Sequence, residues 1–77
     1  MKKIELIATA LGSDRYYLSL YNMRDGDKTW SRLNIEDTET SKWARRDFDG
    51  NGHFALAKKE YDEIVYGDKI PLQYQWM

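Results

Sequence analysis

The stretch that decides the fold is "RYYLSLYNMRDGDKTWSRLNI", residues 15–35. Apolar and polar side chains alternate on both sides of Asp25-Gly26. Alternation with a period of two is typical of a strand with one buried face, and Asp-Gly between two such segments is a strong hairpin signal. A two-residue loop of Asp25 and Gly26 sets the register of the two strands. It pairs Leu18 with Leu33, Tyr16 with Ile35, and Tyr21 with Trp30.

The residues before this hairpin extend the pattern to a third strand. Residues 4–10 alternate again, and "GSD" at 12–14 reads as a three-residue loop. That loop pairs Ala8 with Leu18 and Leu6 with Leu20. Both hairpins then place their apolar residues on the same face of the middle strand, an agreement that a one-residue slip would break. The sequence therefore predicts a three-stranded meander over residues 3–35.

Residues 36–77 leave more than one structure open. "EDTETSKWARRDF", residues 36–48, fits a short helix capped near Thr38 or Ser41, or a loop that leads into a strand from Lys42 to Phe48. "HFALA" at 53–57 is interpreted as extended, and "KKEYDEIV" at 58–65 as one or two helical turns. "KIPLQYQWM" at 69–77 alternates and predicts a last strand, with an exposed edge or a bulge where proline lacks a donor.

These elements predict the fold class. We expect one small β-rich domain over residues 1–77, mostly β (or α+β), with a small antiparallel five-stranded barrel-like or meander sheet and one short helical segment. The 77 residues leave no room for a second core, and three Trp, six Tyr and two Phe supply large buried areas.

Composition excludes several classes of protein. The chain has no cysteine, so disulfides, thiolate zinc sites and cysteine nucleophiles are ruled out, and a reducing cytoplasm is the expected location. The opening "MKKIELIATALG" imitates a signal peptide, but Glu5 interrupts its short apolar run. No segment approaches the ~20 apolar residues of a membrane span, so we expect no membrane partner. A net charge of −1 gives no overall preference for nucleic acid.

The run "DFDGNG", residues 47–52, carries the one motif that points to a metal. Asp47, Asp49 and Asn51, followed by a glycine, resemble the first ligands and the turn glycine of a calcium-binding EF-hand loop. The position of the bidentate glutamate, however, is occupied by Lys58. Turn formers between two ordered segments account for the same letters, so we expect a four-residue hairpin connection and no metal or other cofactor.

Catalysis has little support in the sequence. His53 is the only histidine and lies beside a predicted turn, and no nucleophile with a base and an orienting group is apparent. Glycine-rich phosphate loops are also missing. We therefore expect a protein that is not an enzyme.

The predicted register brings together aromatic and basic residues opposite the core. The binding candidates on that face are Tyr17, Tyr21, Trp30, Lys28 and Arg32, and a second group follows at Trp43, Arg45 and Arg46. Exposed aromatics beside cations are typical of protein-interface hot spots and of surfaces that stack single-stranded bases. Burial beneath another layer is the third interpretation.

The preferred hypothesis is a non-catalytic protein-binding module, of the kind with which a phage or mobile element inhibits a host or defence protein. One alternative is a small β-barrel that binds single-stranded nucleic acid through Tyr17, Tyr21 and Trp30. A less favoured alternative is a calcium-binding loop protein with Asp47, Asp49 and Asn51 as ligands. The sequence does not predict the partner or the oligomeric state.

Overall fold

One antiparallel sheet and one helix account for the regular structure of residues 2–77, the part of the chain that the computed structural model describes. The strands are β1 (Lys2–Gly12), β2 (Tyr16–Asp25), β3 (Lys28–Asp37) and β4 (Lys42–Phe48), and the helix is α1 (His53–Val65). The sheet order is β1-β2-β3-β4. The predicted mostly β, antiparallel meander with a helical segment is confirmed, whereas five strands and a barrel-like form are wrong because this four-stranded sheet is not closed.

The core lies between the sheet and α1. Leu18 and Leu20 on β2 and Leu33 and Ile35 on β3 are almost fully buried. They face the helix because residues two apart on a strand share a side. The helix contributes Ala57, Tyr61 and Ile64, whose spacing of four and three residues forms one stripe along a helix.

The β2–β3 register differs from the predicted one by two residues. The loop consists of Gly26 and Asp27, so that Asp25 pairs with Lys28 and Leu18 pairs with Ile35. Gly26 has a φ of 63°, a conformation that glycine adopts without penalty. Because the difference is an even number of residues, every side chain of β2 and β3 keeps its predicted face.

A bulge in β1 changes the face of its first residues. Leu6 pairs with Tyr21 and Ala8 with Leu20, so Ile7 is the extra residue between two registers. One extra residue reverses the alternation. Leu6 therefore lies on the face away from α1, and the prediction that it opposes Leu20 in the core is wrong.

The turn after β4 leads into the helix. Strand β4 spans Lys42–Phe48 and confirms the second of the two alternatives for this region. Residues 53–57, predicted as extended, instead begin α1, so the connection before them is not a hairpin. Gly50 and Gly52 take φ values of 84° and 76°, which reverse the chain there. The helix buries Ala57 in its first half.

Residues 69–77 do not form the predicted last strand. Tyr74 and Trp76 pack against the core, as expected of inward residues, but Ile70 and Leu72 are 57% and 82% exposed. The segment is held by side chains, because buried Glu60 accepts hydrogen bonds from Lys69 and Tyr74. One backbone pair reaches the sheet: Met77 and Trp43 exchange N–H···O bonds of 3.0 and 2.8 Å at the outer edge of β4.

Candidate functional site: the open face of the sheet

The side of the sheet away from α1 is called the open face. Cross-strand pairing arranges its residues in rows that run from β1 towards β4. The rows are Leu11–Tyr17–Glu36–Trp43, then Thr9–Ser19–Asn34–Arg45, then Leu6–Tyr21–Arg32–Asp47, and last Ile4–Met23–Trp30. Polar and charged residues predominate in the two middle rows, apart from Leu6 and Tyr21, and apolar residues predominate in the first and last rows.

Apolar side chains on the open face are accessible to solvent. The exposed fractions are 58% for Ile4, 55% for Leu6, 50% for Leu11, 43% for Tyr17 and 46% for Trp43. Single exposed apolar residues are ordinary, but a grouping on one sheet face is typical of an interaction surface.

Tyr17 and Trp43 form the walls of a shallow hollow of about 240 Å³. Strand spacing puts their Cα atoms about 10 Å apart, with Glu36 on the strand between them. Ser19, Asn34 and Ile35 complete the lining, in which Glu36 is the one charged residue. We call this the aromatic hollow.

One lining residue of the aromatic hollow, Asn34, has a side-chain oxygen without a hydrogen-bond partner in residues 2–77. Oδ1 of Asn34 is buried and accepts no hydrogen bond from any residue between 2 and 77. A buried acceptor without a donor costs about 1–3 kcal/mol. The hollow thus combines two aromatic walls, an exposed carboxylate and an unsatisfied acceptor.

The third row is occupied by an ion pair. Arg32 donates to both carboxylate oxygens of Asp47, from Nε at 2.7 Å and from Nη2 at 3.2 Å. These hydrogen bonds lower the pKa of Asp47 below its usual range, against the opposing effect of burial, and they raise the pKa of Arg32. The Arg32 charge is therefore already compensated within the chain.

The structure brings only some of the predicted binding residues together. Tyr17 and Trp43 share the aromatic hollow, and Tyr21 lies beside the ion pair. Trp30 is on the predicted face but only 9% exposed, with the Lys28 ammonium 5.4 Å from its ring centroid.

The two arginines of the second group point to different sides of the sheet. Arg45 is exposed in the second row of the open face. Arg46 lies on the helix side, where Nη1 is 3.3 Å from Glu60 and the guanidinium lies 4.8 Å from the Phe48 ring centroid.

Sequence reasoning missed several residues of the open face. The face of Glu36 was predictable, since alternation continued past Ile35 puts it on the same side as Tyr17, but its position between Tyr17 and Trp43 depends on the observed registers. Ile4 and Leu6 were not, because nothing in the sequence marks the bulge at Ile7.

The residues of the calcium-like run do not converge. Asp47 is held by Arg32, whereas Asp49 and Asn51 follow in the turn. Within residues 2–77 no three His, Cys, Asp or Glu side chains are placed to hold a metal ion together.

His53 has a structural partner that the sequence did not reveal. Its Nδ1 lies 2.7 Å from Oγ of Ser31, a fully buried side chain that donates to Oδ1 of Asn22 at 2.9 Å. Since the Ser31 proton is used by Asn22, His53 donates its Nδ1–H to Ser31. This arrangement anchors the first turn of α1 to the sheet and leaves the hydroxyl inaccessible to a substrate.

Comparison of the chain with family models, curated proteins and solved structures gave no match. Over the described range, no helix has the length and apolar character needed to cross a membrane.

Proposed function

We propose that this protein is a non-catalytic protein-binding module that contacts its partner through the open face. The exposure of Ile4, Leu6, Leu11, Tyr17 and Trp43 on one side of the sheet is the observation that carries the proposal. A sheet usually buries one face against a second layer and leaves the other polar. Here the second face keeps apolar side chains that a partner would cover.

The aromatic hollow defines the chemistry of the contact. Tyr17 and Trp43 flank Glu36, and no lysine or arginine belongs to the lining. Aromatic faces attract a cation, and the carboxylate adds a charged hydrogen-bond acceptor. We therefore propose that the partner inserts a lysine or arginine side chain between the two rings.

The middle rows would fix the orientation of the partner. Ser19 and Asn34 offer polar groups between the apolar ends of the face. A donor from the partner, met by a rotation of the Asn34 amide, would remove the penalty of its unsatisfied Oδ1. In this proposal the module acts by occlusion, as an inhibitor from a phage or mobile element would.

Binding of single-stranded nucleic acid is less well supported by the same geometry. Glu36 would place a negative charge between the two accessible aromatics, where a base and its phosphate would lie. Arg32 is compensated by Asp47, and Trp30 offers little surface for stacking.

The test is an affinity capture that compares three forms of the protein. Wild type should retain one stoichiometric protein partner, and the double variant Tyr17→Ser/Trp43→Ser should lose it. The matched control is Tyr66→Ser/Leu72→Ser, which removes two side chains exposed by 77% and 82% outside the open face, and it should keep the partner.

Two further measurements separate the alternatives. Glu36→Gln should weaken the complex about tenfold, as expected when a charged acceptor becomes neutral. Equal capture by wild type and by the open-face double variant would refute the proposal. Salt-sensitive binding of single-stranded oligonucleotides, lost in the same variant, would replace the protein partner by nucleic acid.

A further inference from the structure

The first strand forms an edge of the sheet, with no further strand of residues 2–77 paired to its outer side. β1 pairs with β2 on one side. No other segment between residues 2 and 77 donates to or accepts from Lys2, Ile4 or Leu6 on the other side. An edge strand with unpaired backbone groups is a template for another strand.

The pairing at the far edge of the sheet fixes which backbone groups of β1 point outward. Trp43 bonds Met77, so its N–H and C=O point away from β3. Antiparallel ladders alternate hydrogen-bonded and non-hydrogen-bonded pairs. Trp43 opposite Glu36 is therefore a non-bonded pair, and Glu36 opposite Tyr17 is a bonded one.

The same alternation continues through β2 to β1. The backbone N–H and C=O of Tyr17 point to β3. Those of the even-numbered residues Asn22 and Arg24 therefore point to β1, where these residues pair with Glu5 and Lys3. The backbone groups of Lys2, Ile4 and Leu6 are consequently those that face the free edge. The bulge at Ile7 ends this regular stretch.

We propose that two copies of this chain pair antiparallel through residues 2–6 of β1. Ile4 lies opposite Ile4 of the second copy on the two-fold axis, and Lys2 lies opposite Leu6 on each side, all with outward backbone groups. Lys3 of each copy then lies opposite Glu5 of the other, so the pairing contains two symmetry-related Lys3–Glu5 pairs. Neither side chain forms an ion pair within residues 2–77.

Charge complementarity selects this register over its neighbours. In the neighbouring register that pairs Lys2 with Ile4, Lys3 lies opposite Lys3 of the second copy. In the register that pairs Ile4 with Leu6, Glu5 lies opposite Glu5. Like charges directly opposite each other destabilise a strand pair, whereas opposite charges stabilise it. The proposed register also uses all five residues before the bulge.

The consequence is one continuous sheet twice as wide as that of a single copy. Ile4 and Leu6 of both copies lie next to each other on the open face of this sheet, where they form one apolar patch. The two proposals share Ile4 and Leu6, but they are tested separately, because Lys3 and Glu5 lie on the side of the sheet opposite Tyr17 and Trp43.

The experiment is sedimentation analysis of the full chain from micromolar to millimolar concentration. A five-residue pairing is small compared with a permanent interface, so wild type should show a concentration-dependent monomer–dimer equilibrium. Lys3→Glu and Glu5→Lys should each weaken it about tenfold or more, since both turn two attractive pairs into repulsive ones.

Variants that exchange the charges at residues 3 and 5 test the proposed pairing most directly. The double variant Lys3→Glu/Glu5→Lys should dimerise like wild type, and the two single variants should associate when mixed, because every opposed pair then has opposite charges. Lys59→Glu, an equal charge change at an exposed helix position, should have no effect.

A wild-type protein that stays monomeric over the whole range would overturn the proposal, as would single variants that fail to associate on mixing. Affinity capture with the single variants Lys3→Glu and Glu5→Lys would test partner binding by the open face independently of dimerisation.

Discussion

Asp37 and Arg15 tie the loop between β1 and β2 to the end of β3. Arg15 donates to both carboxylate oxygens of Asp37, at 3.0 and 2.9 Å, and Asp37 is 7% exposed. These hydrogen bonds outweigh the effect of burial and lower the pKa of Asp37 to about 2, from 3.8. A carboxylate whose pKa is lower in the folded state stabilises the fold at pH values above its pKa in the unfolded chain. That stabilisation is lost as the pH falls through its pKa in the folded state.

This pair predicts a specific acid sensitivity. The wild-type free energy of unfolding should fall between pH 4 and pH 2 by more than that of Asp37→Asn, which has no proton to take up at this position. Urea denaturation at intervals across that range measures the difference. Glu39→Gln, at a carboxylate that also contacts Arg15 but is 64% exposed, serves as control and should retain most of the wild-type dependence. Identical curves for wild type and Asp37→Asn would contradict the assignment.

Side-chain hydrogen bonds to Glu60 help to hold the segment after α1 in place. Burial by itself would raise the pKa of Glu60, but hydrogen bonds from Lys69 and Tyr74 and the charge of Arg46 lower it on balance. The carboxylate is thus kept ionised by residues that hold the segment against the helix and β4.

Removing one donor should loosen this segment. Tyr74→Phe leaves the buried carboxylate one hydrogen bond short, which costs about 1–3 kcal/mol. Hydrogen exchange of the Met77 amide, bonded to Trp43 in the native fold, should become faster. The amides in the centre of β2 and β3 should lose only the protection that corresponds to the global change in stability.

Gln73→Ala, an exposed change in the same segment, should leave both sets of amides as they are. Slower or unchanged exchange at Met77 in Tyr74→Phe would show that the tyrosine does not anchor the segment.

Single elements also show where sequence patterns suffice. The alternation in β2 and β3 placed Leu18 and Ile35 on the buried face, and an error of two residues in register left that result intact. The same alternation failed in residues 69–77, because contacts of Tyr74 and Trp76 with the core hold them without a neighbouring strand.

The open face was predictable to the extent that local rules govern it. The place of Tyr17 followed from strand periodicity, whereas Trp43 was a candidate in a stretch left open as helix or strand, and its place beside Tyr17 depends on the pairing of β4 with β3. The accessibility of Ile4 and Leu6 depends on the extra residue at Ile7, and the covering of Trp30 depends on its neighbours in space. Both are tertiary features that no local pattern encodes.

The whole molecule is a two-layer structure with one buried and one open sheet face, and a pair of leucines tests this. Leu33 is fully buried beneath α1, and Leu11 on the open face is 50% exposed. Leu33→Ala should lower the free energy of unfolding by about 2–5 kcal/mol, whereas Leu11→Ala should lower it by less than about 1 kcal/mol. Urea denaturation of both variants at neutral pH provides the comparison. Equal losses would mean that both faces are covered in solution.

The strand order has a consequence for folding during synthesis on the ribosome. Each strand pairs with the one made just before it, and the helix that closes the core follows the completed sheet. Such sequence-local contacts keep the loops to be closed short, which favours rapid folding. Each strand after β1 therefore meets a partner that is already synthesised, and the sheet can form strand by strand in the direction of translation.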